Sequence, residues 1–213
     1  MELLAELVGD GRALELAIGT GRVALPLAGR GVPVDGIDVS PAMVARLREK
    51  PGGDAIRATM GNFADVGVET DYRLIFVVLN SFFALLSQEE QIRCFANVAE
   101  HLDGGGQFLL EAFVPDPARF DRSQRINALE VGIDAVELDA SRHDAVNQRV
   151  DSSRIVLTEA GTKLYPVSLR YAWPAELDLM ARLAGLGLRH RWAGWHKEAF
   201  GSDSGMHISV YGR

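Results

Sequence analysis

The residues best placed to do chemistry lie in one short run, Glu15-Leu16-Ala17-Ile18-Gly19-Thr20-Gly21, with Asp38 closing the next apolar stretch. A glycine turn lets a ligand approach the backbone, and the N–H groups opening the following helix face a polar or anionic ligand end. An acid at the end of the second strand can accept hydrogen bonds from both hydroxyls of a ribose. The run is therefore that of a site for a nucleoside-containing cofactor. Gly19, Gly21 and Ala24, with Asp38, also satisfy the dinucleotide pattern G-x-G-x-x-G/A, so this segment alone leaves a nicotinamide cofactor open. Val39 is a further candidate cofactor contact, Met43 can meet an adenine or pack in the core, and Asn80 directly follows a fully apolar run at a strand's carboxyl edge, where it can face a ligand or serve the turn. No metal site is expected.

The elements that must position these residues alternate. Residues 3–8 form a short helix, broken at Gly9-Asp10-Gly11, and residues 13–18 the first strand. Residues 22–28 read as a helix kept short by Pro26, and residues 32–38 as the second strand. Ser40-Pro41 caps a helix carrying Met43, Val44 and Leu47, and Pro51-Gly52-Gly53 stops it before a third strand over residues 55–60. Residues 73–79 are almost wholly apolar, as a parallel strand covered on both faces requires; a helix over 88–102 and a fifth strand over 107–114 follow. From Pro115 the pattern changes to alternation, with Val136, Leu138 and Ala140 on one stretch, Ile155 and Leu157 on another, and Gly161 available for a hairpin turn. Residues 115–172 are accordingly expected to form an antiparallel β layer inserted into a single domain spanning 1–213. That layer is expected to lie over the carboxyl edge and bury its apolar face by closing the acceptor pocket, with contact to a second copy in a homodimer as an addition. A helix over 174–183 and strands over 188–197 and 206–211 close the pattern.

Over nearly its full length this order resembles class I S-adenosylmethionine-dependent methyltransferases, whose first motif runs acidic-x-Gly-x-Gly-x-Gly. Glu15, Ala17, Gly19 and Gly21 stand at its positions, with Ala17 replacing the first glycine, and Asp38 matches the ribose-binding acid. Gly61-Asn62-Phe63 matches the family's Gly-Asp-apolar adenine motif, with Asn62 for the acid. Tyr171 to Leu177 and His207 to Tyr211 resemble a small-molecule subgroup that includes amino-sugar N-methyltransferases. The resemblance implies a Rossmann-like seven-stranded sheet with an antiparallel last strand, S-adenosyl-L-methionine as donor, and methyl transfer to the N or O of a small molecule. In the family's strand order Glu111, Phe113, His196 and His207 share one rim, and His207 and Glu111 are the candidate bases. His101 and His190 fall at the opposite edge, and His143 is expected to be solvated. The chain has less sequence before its first strand than the family usually has there, so an open donor cleft is expected.

Composition narrows the partners. A net charge of −7 offers no attraction to nucleic acid, no apolar run is long enough for a membrane span, and no secretory signal precedes the first strand. A cytoplasmic enzyme acting on a small molecule is the expectation. The single cysteine, Cys94, excludes an intrachain disulfide and sits among Ile92, Phe95 and Val98 as a buried apolar residue. An oxidoreductase would need a hydride-handling residue set that is not found, and a non-catalytic binding protein of the same fold is separated by measuring methyl transfer.

Overall fold

The computed structural model describes residues 1–213 except Val66 and Glu69. By contacts the chain divides into two compact units, one of residues 1–82, 88–114 and 174–213, the other of residues 83–87 and 115–173.

The first unit contains α1 (Glu2–Val8), β1 (Ala13–Leu16), α2 (Ala24–Ala28), β2 (Val34–Asp38), α3 (Pro41–Arg48), β3 (Arg57–Met60), β4 (Tyr72–Val77), α4 (Gln88–His101) and β5 (Leu102–Phe113). After the excursion into the second unit come α5 (Pro174–Leu183) and two further strands, residues 187–192 and 206–212. With β6 to β9 assigned to the second unit below, these two are β10 (Gly187–Trp192) and β11 (Met206–Gly212). The seven strands lie in the order β10-β11-β5-β4-β1-β2-β3. The pairs β4–β1, β1–β2, β2–β3 and β4–β5 are parallel, while β11 runs antiparallel to both β5 and β10. This is the Rossmann-like sheet with an antiparallel last strand that the resemblance implies.

Local chemistry explains the boundaries. Ser40 caps α3, its side chain accepting from the Met43 N–H at 3.3 Å, and Pro41 occupies the first helical position, where no donor is needed. Pro26 lies inside the first turn of α2 and so removes no helical hydrogen bond, which leaves a helix of five residues. The apolar run through residues 73–79 ends as a strand at Val77, because Leu79 and Asn80 both take positive φ, 56° and 61°. On one face of the sheet Leu109, Ile208 and Val210 pack in a core with Leu3, Leu4, Ile18, Leu27 and Leu47. On the other, Phe95 of α4 meets Phe82, Phe108 and Tyr211 edge to face at 5.2–5.5 Å, each such pair contributing about 0.5–1.5 kcal/mol beyond its buried area. Cys94 is fully buried beside them, and burial pushes its thiol pKa up, so it is inert.

The second unit holds β6 (Gln124–Val131), β7 (Ala135–Asp144), β8 (Arg149–Thr158) and β9 (Gly161–Arg170) in one antiparallel sheet in sequence order. Thr158 pairs with Gly161 across the turn, and Gly161 has φ 127°, a conformation side chains rarely adopt. Val136 faces Leu157 and Leu138 faces Ile155, so the alternation read from the sequence becomes a continuous apolar stripe. Here one expectation is corrected: His143 is not solvated. It is 7% exposed, stacks on Phe120 at 4.7 Å and shares a hydrogen bond with the Tyr171 hydroxyl at 2.9 Å. Its register partner, Val150, is buried as well, which places His143 on the covered face of β7.

Candidate donor site and catalytic residues

The β1–α2 turn is built on positive φ. Ala17, Gly19 and Gly21 have φ 57°, 56° and 73°, so Ala17 stands in a conformation that favours glycine, where the motif has one. The two glycines are needed for different reasons. A Cβ on Gly21 would lie 2.4 Å from Leu47 Cδ1 and 3.1 Å from Leu25 Cγ, so Gly21 lets α3 close on the turn. A Cβ on Gly19 would meet nothing nearer than 4.0 Å among the described residues, so Gly19 faces open space beside the turn.

Glu15, on the buried strand β1, is 3% exposed and receives the Ala24 N–H at the start of α2. Its Oε2 has no hydrogen-bond partner among the described residues. Burial, with a smaller addition from the Asp38 charge and against the Ala24 N–H, pushes its pKa up to about 8. Asp38 accepts from the Gly19 N–H at 2.7 Å and from the Ser40 N–H at 2.8 Å. It therefore ties the glycine turn to the cap of α3, a structural task beside the recognition read from the sequence. At 8% exposure it is a buried polar residue.

A cavity of about 390 Å³ opens against this turn, lined by Glu15, Ala17, Ile18, Gly19, Thr20, Arg22, Met43, Arg46, Val78, Leu79 and Ser81. Its size lies within the roughly 300–1,000 Å³ of small-molecule sites. Of the residues expected from sequence, Glu15, Ala17, Gly19 and Met43 meet in its wall. Gly21, Asp38, Val39, Asn62, Phe63 and Asn80 lie outside the lining. Val39 is 64% exposed, Phe63 is buried, and the Asn62 Oδ1 accepts from the Ala64 N–H at 3.0 Å. Arg22 and Arg46 were not singled out in the sequence. The signals were there: Arg22 directly follows Gly21, and Arg46 lies one turn beyond Met43 on α3.

The two candidate bases are not brought together. In the β5–β11 register Glu111 pairs with Ile208 and His207 with Ala112, so Glu111 and His207 project from opposite faces of the sheet. Glu111 accepts from the Leu79 N–H at 2.7 Å and from the Trp195 indole N–H at 3.3 Å. His207 is fully buried, with Nδ1 2.8 Å from the Ser209 hydroxyl and Nε2 without a partner among the described residues. The Ser209 hydroxyl accepts from Arg191 Nε at 2.8 Å, and Arg191 in turn pairs with Asp178. Burial first, and the Arg191 charge second, lower the His207 pKa to about 4, so the imidazole is neutral near pH 7. His196 lies beyond β10 in an exposed loop.

A family model described as a methyltransferase domain matches residues 13–106. A cypemycin N-terminal methyltransferase from a Streptomyces species is 32% identical over 183 residues, covering 83% of this chain and 73% of that protein. The structure of the CcbJ methyltransferase from Streptomyces caelestis superposes with a TM-score of 0.93 at 41% identity, over 99% of this chain and 86% of that one. An S-adenosylmethionine-bound amino pentose methyltransferase, CalS10 of Micromonospora echinaspora, shares the fold with a TM-score of 0.71 at 21% identity, over 98% of this chain and 87% of that one. An acid-flanked glycine turn on the first strand of this sheet, together with relatives matched over most of their length, identifies the chain as a member of the class I S-adenosylmethionine-dependent methyltransferases.

Proposed function

We propose that the cavity beside the β1–α2 turn holds S-adenosylmethionine and that the methyl goes to an amine nitrogen of a small molecule or short peptide. The observation that carries the donor assignment is Glu15 Oε2, a buried carboxyl oxygen in the wall of that cavity without a partner among the described residues. Such an atom calls for a donor group, and the ammonium-bearing end of S-adenosylmethionine offers one. Arg22 and Arg46 in the same lining fit the adjoining carboxylate, and Met43 the adenine. Asp38 retains lone pairs for the ribose hydroxyls while holding the turn. The amine assignment draws on the name of the 32% identical relative, an N-terminal methyltransferase.

The bound donor supplies an electrophilic methyl on a sulfonium, so the protein's task is alignment of a neutral nucleophile rather than strong base catalysis. A neutral amine fits that requirement, since its product ammonium can release the proton to water. An imidazole held near pKa 4 and a carboxylate with both oxygens engaged also suit alignment better than proton abstraction. We further propose a cytoplasmic setting, consistent with one free buried thiol, and a homodimer through the apolar face of the four-stranded sheet, where Ile126 and Leu164 are 75% and 61% exposed. Among the described residues no helix is long and apolar enough to cross a membrane.

The test is methyl transfer from labelled S-adenosylmethionine to matched amines and alcohols, with products identified by mass spectrometry. Label on amines alone is expected. Label on hydroxyl acceptors alone overturns the amine assignment, and no binding of S-adenosylhomocysteine overturns the donor site.

A further inference from the structure

The β4 side of the donor cavity is formed by a strained segment. Val78, Leu79 and Ser81 line it, and Leu79 and Asn80 are consecutive non-glycine residues at positive φ. Such residues persist only where their surroundings over-determine them, and they gather at ligand clamps. The surroundings here are specific. Glu111 Oε2 accepts the Leu79 N–H at 2.7 Å, and Oε1 accepts the Trp195 indole N–H at 3.3 Å. One residue on, Asn80 Oδ1 accepts the Phe113 N–H at 2.7 Å. Three stretches of chain thus meet at one turn: the exit of β4, the end of β5 and the loop after β10.

We propose that Glu111 is a positioning residue for the methyl donor, its carboxylate locking Leu79 and Asn80 in the left-handed conformation that shapes the β4 wall of the donor cavity, with Trp195 fixing the carboxylate. This rests on the assignment of that cavity to the donor. The geometry distinguishes the role from that of a general base, because both oxygens already accept structural hydrogen bonds. Without the carboxylate, the Leu79 N–H loses its acceptor and the turn can relax out of the positive φ region. The wall then moves away from the donor, while the parts of the cavity built by β1 and α3 keep their own supports in Asp38 and Ser40.

The experiment measures S-adenosylhomocysteine affinity, the KM for S-adenosylmethionine and the acceptor KM in wild type, Glu111→Ala, Glu111→Gln, Trp195→Phe and the double variant Glu111→Ala with Leu79→Gly. Glu111→Ala is expected to weaken donor binding about tenfold with the acceptor KM unchanged, and Trp195→Phe by roughly two- to threefold. Glycine takes positive φ without steric cost, so Leu79→Gly is expected to restore much of the donor affinity in the Glu111→Ala background. A residue that merely supports the fold is not rescued by removing a second side chain. Should Glu111→Ala not fold, Glu111→Gln, which keeps the size and one acceptor oxygen, is expected to show an intermediate loss. Unchanged donor affinity in the folded Glu111 variants, or loss of kcat alone together with one limb of the pH profile, overturns the proposal. Wild-type protein that binds no S-adenosylhomocysteine overturns the cavity assignment itself, which separates the two failures.

Discussion

At the level of single residues, Glu15 has the most consequence. Its pKa near 8 means that the carboxyl is mostly protonated at pH 7 when the cavity is free, whereas an ammonium partner requires it ionised. If the proposed donor seats its ammonium on Glu15, its binding is expected to release a proton, with affinity rising with pH until about 8, by up to about tenfold per unit. Titration calorimetry with S-adenosylhomocysteine in buffers of different ionisation enthalpy checks this. Glu15→Gln is expected to remove both the proton release and the pH slope. An unchanged slope in that variant assigns the titration to another group. For Asp38, substitution removes two acceptors of backbone N–H groups as well as the proposed ribose contact, so a lost ligand shift in Asp38→Ala reports on the turn and the ligand together.

Between elements, the two glycines of the turn separate fold from ligand. Gly21→Ala places a Cβ against Leu47 and Leu25 at a positive φ, and is expected to cost roughly 2–4 kcal/mol of stability. Gly19→Ala meets open space, and is expected to cost roughly 1–2 kcal/mol from φ alone while weakening the donor more than Gly21→Ala does. Thermal melts with and without S-adenosylhomocysteine distinguish the two, and equal ligand shifts in both variants refute the division of labour. The elements themselves were largely legible. Periodicity and turn residues gave the order of strands and helices, and Ser40-Pro41 and Gly161 marked their boundaries through residue types that admit few conformations. What was not legible depends on contacts distant in sequence. Leu79 is apolar and so extends the fourth strand on paper, but its backbone takes φ 56° with its N–H on the Glu111 carboxylate, a partner 32 residues away. The placement of His207 and Glu111 on opposite faces follows from a pairing register that neither strand encodes alone. Arg22 and Arg46 carry no motif, and only the closure of α2 and α3 around the turn brings them to one cavity.

For the molecule as a whole, two buried groups set opposing limits on stability against pH. Glu15 is raised from 4.5 to about 8 in the folded state, so the folded state holds a proton the unfolded chain has lost, and stability falls as pH rises through that window. His207 is lowered from 6.5 to about 4, so the unfolded chain gains a proton the folded state refuses, and stability falls as pH drops through that window. From these two groups the ligand-free protein is expected to be most stable near pH 5–6, where the windows overlap. Denaturant titrations across pH 4–9 test this: Glu15→Gln should flatten the alkaline decline and His207→Asn the acid decline. A wild-type maximum above pH 8 would contradict the raised Glu15 value.

The position of β11 bears on how the protein is made. It enters the sheet between β5 and β10, although β5 precedes it by a long stretch of chain and β10 has β11 as its neighbour in the sheet. During synthesis, then, β5 is complete while one of its edges still awaits residues 206–212, and β10 emerges with no strand to join. Until residues 206–212 arrive, the growing chain is expected to leave that edge of β5 unpaired, a state in which chaperones have something to hold and neighbouring nascent chains something to pair with.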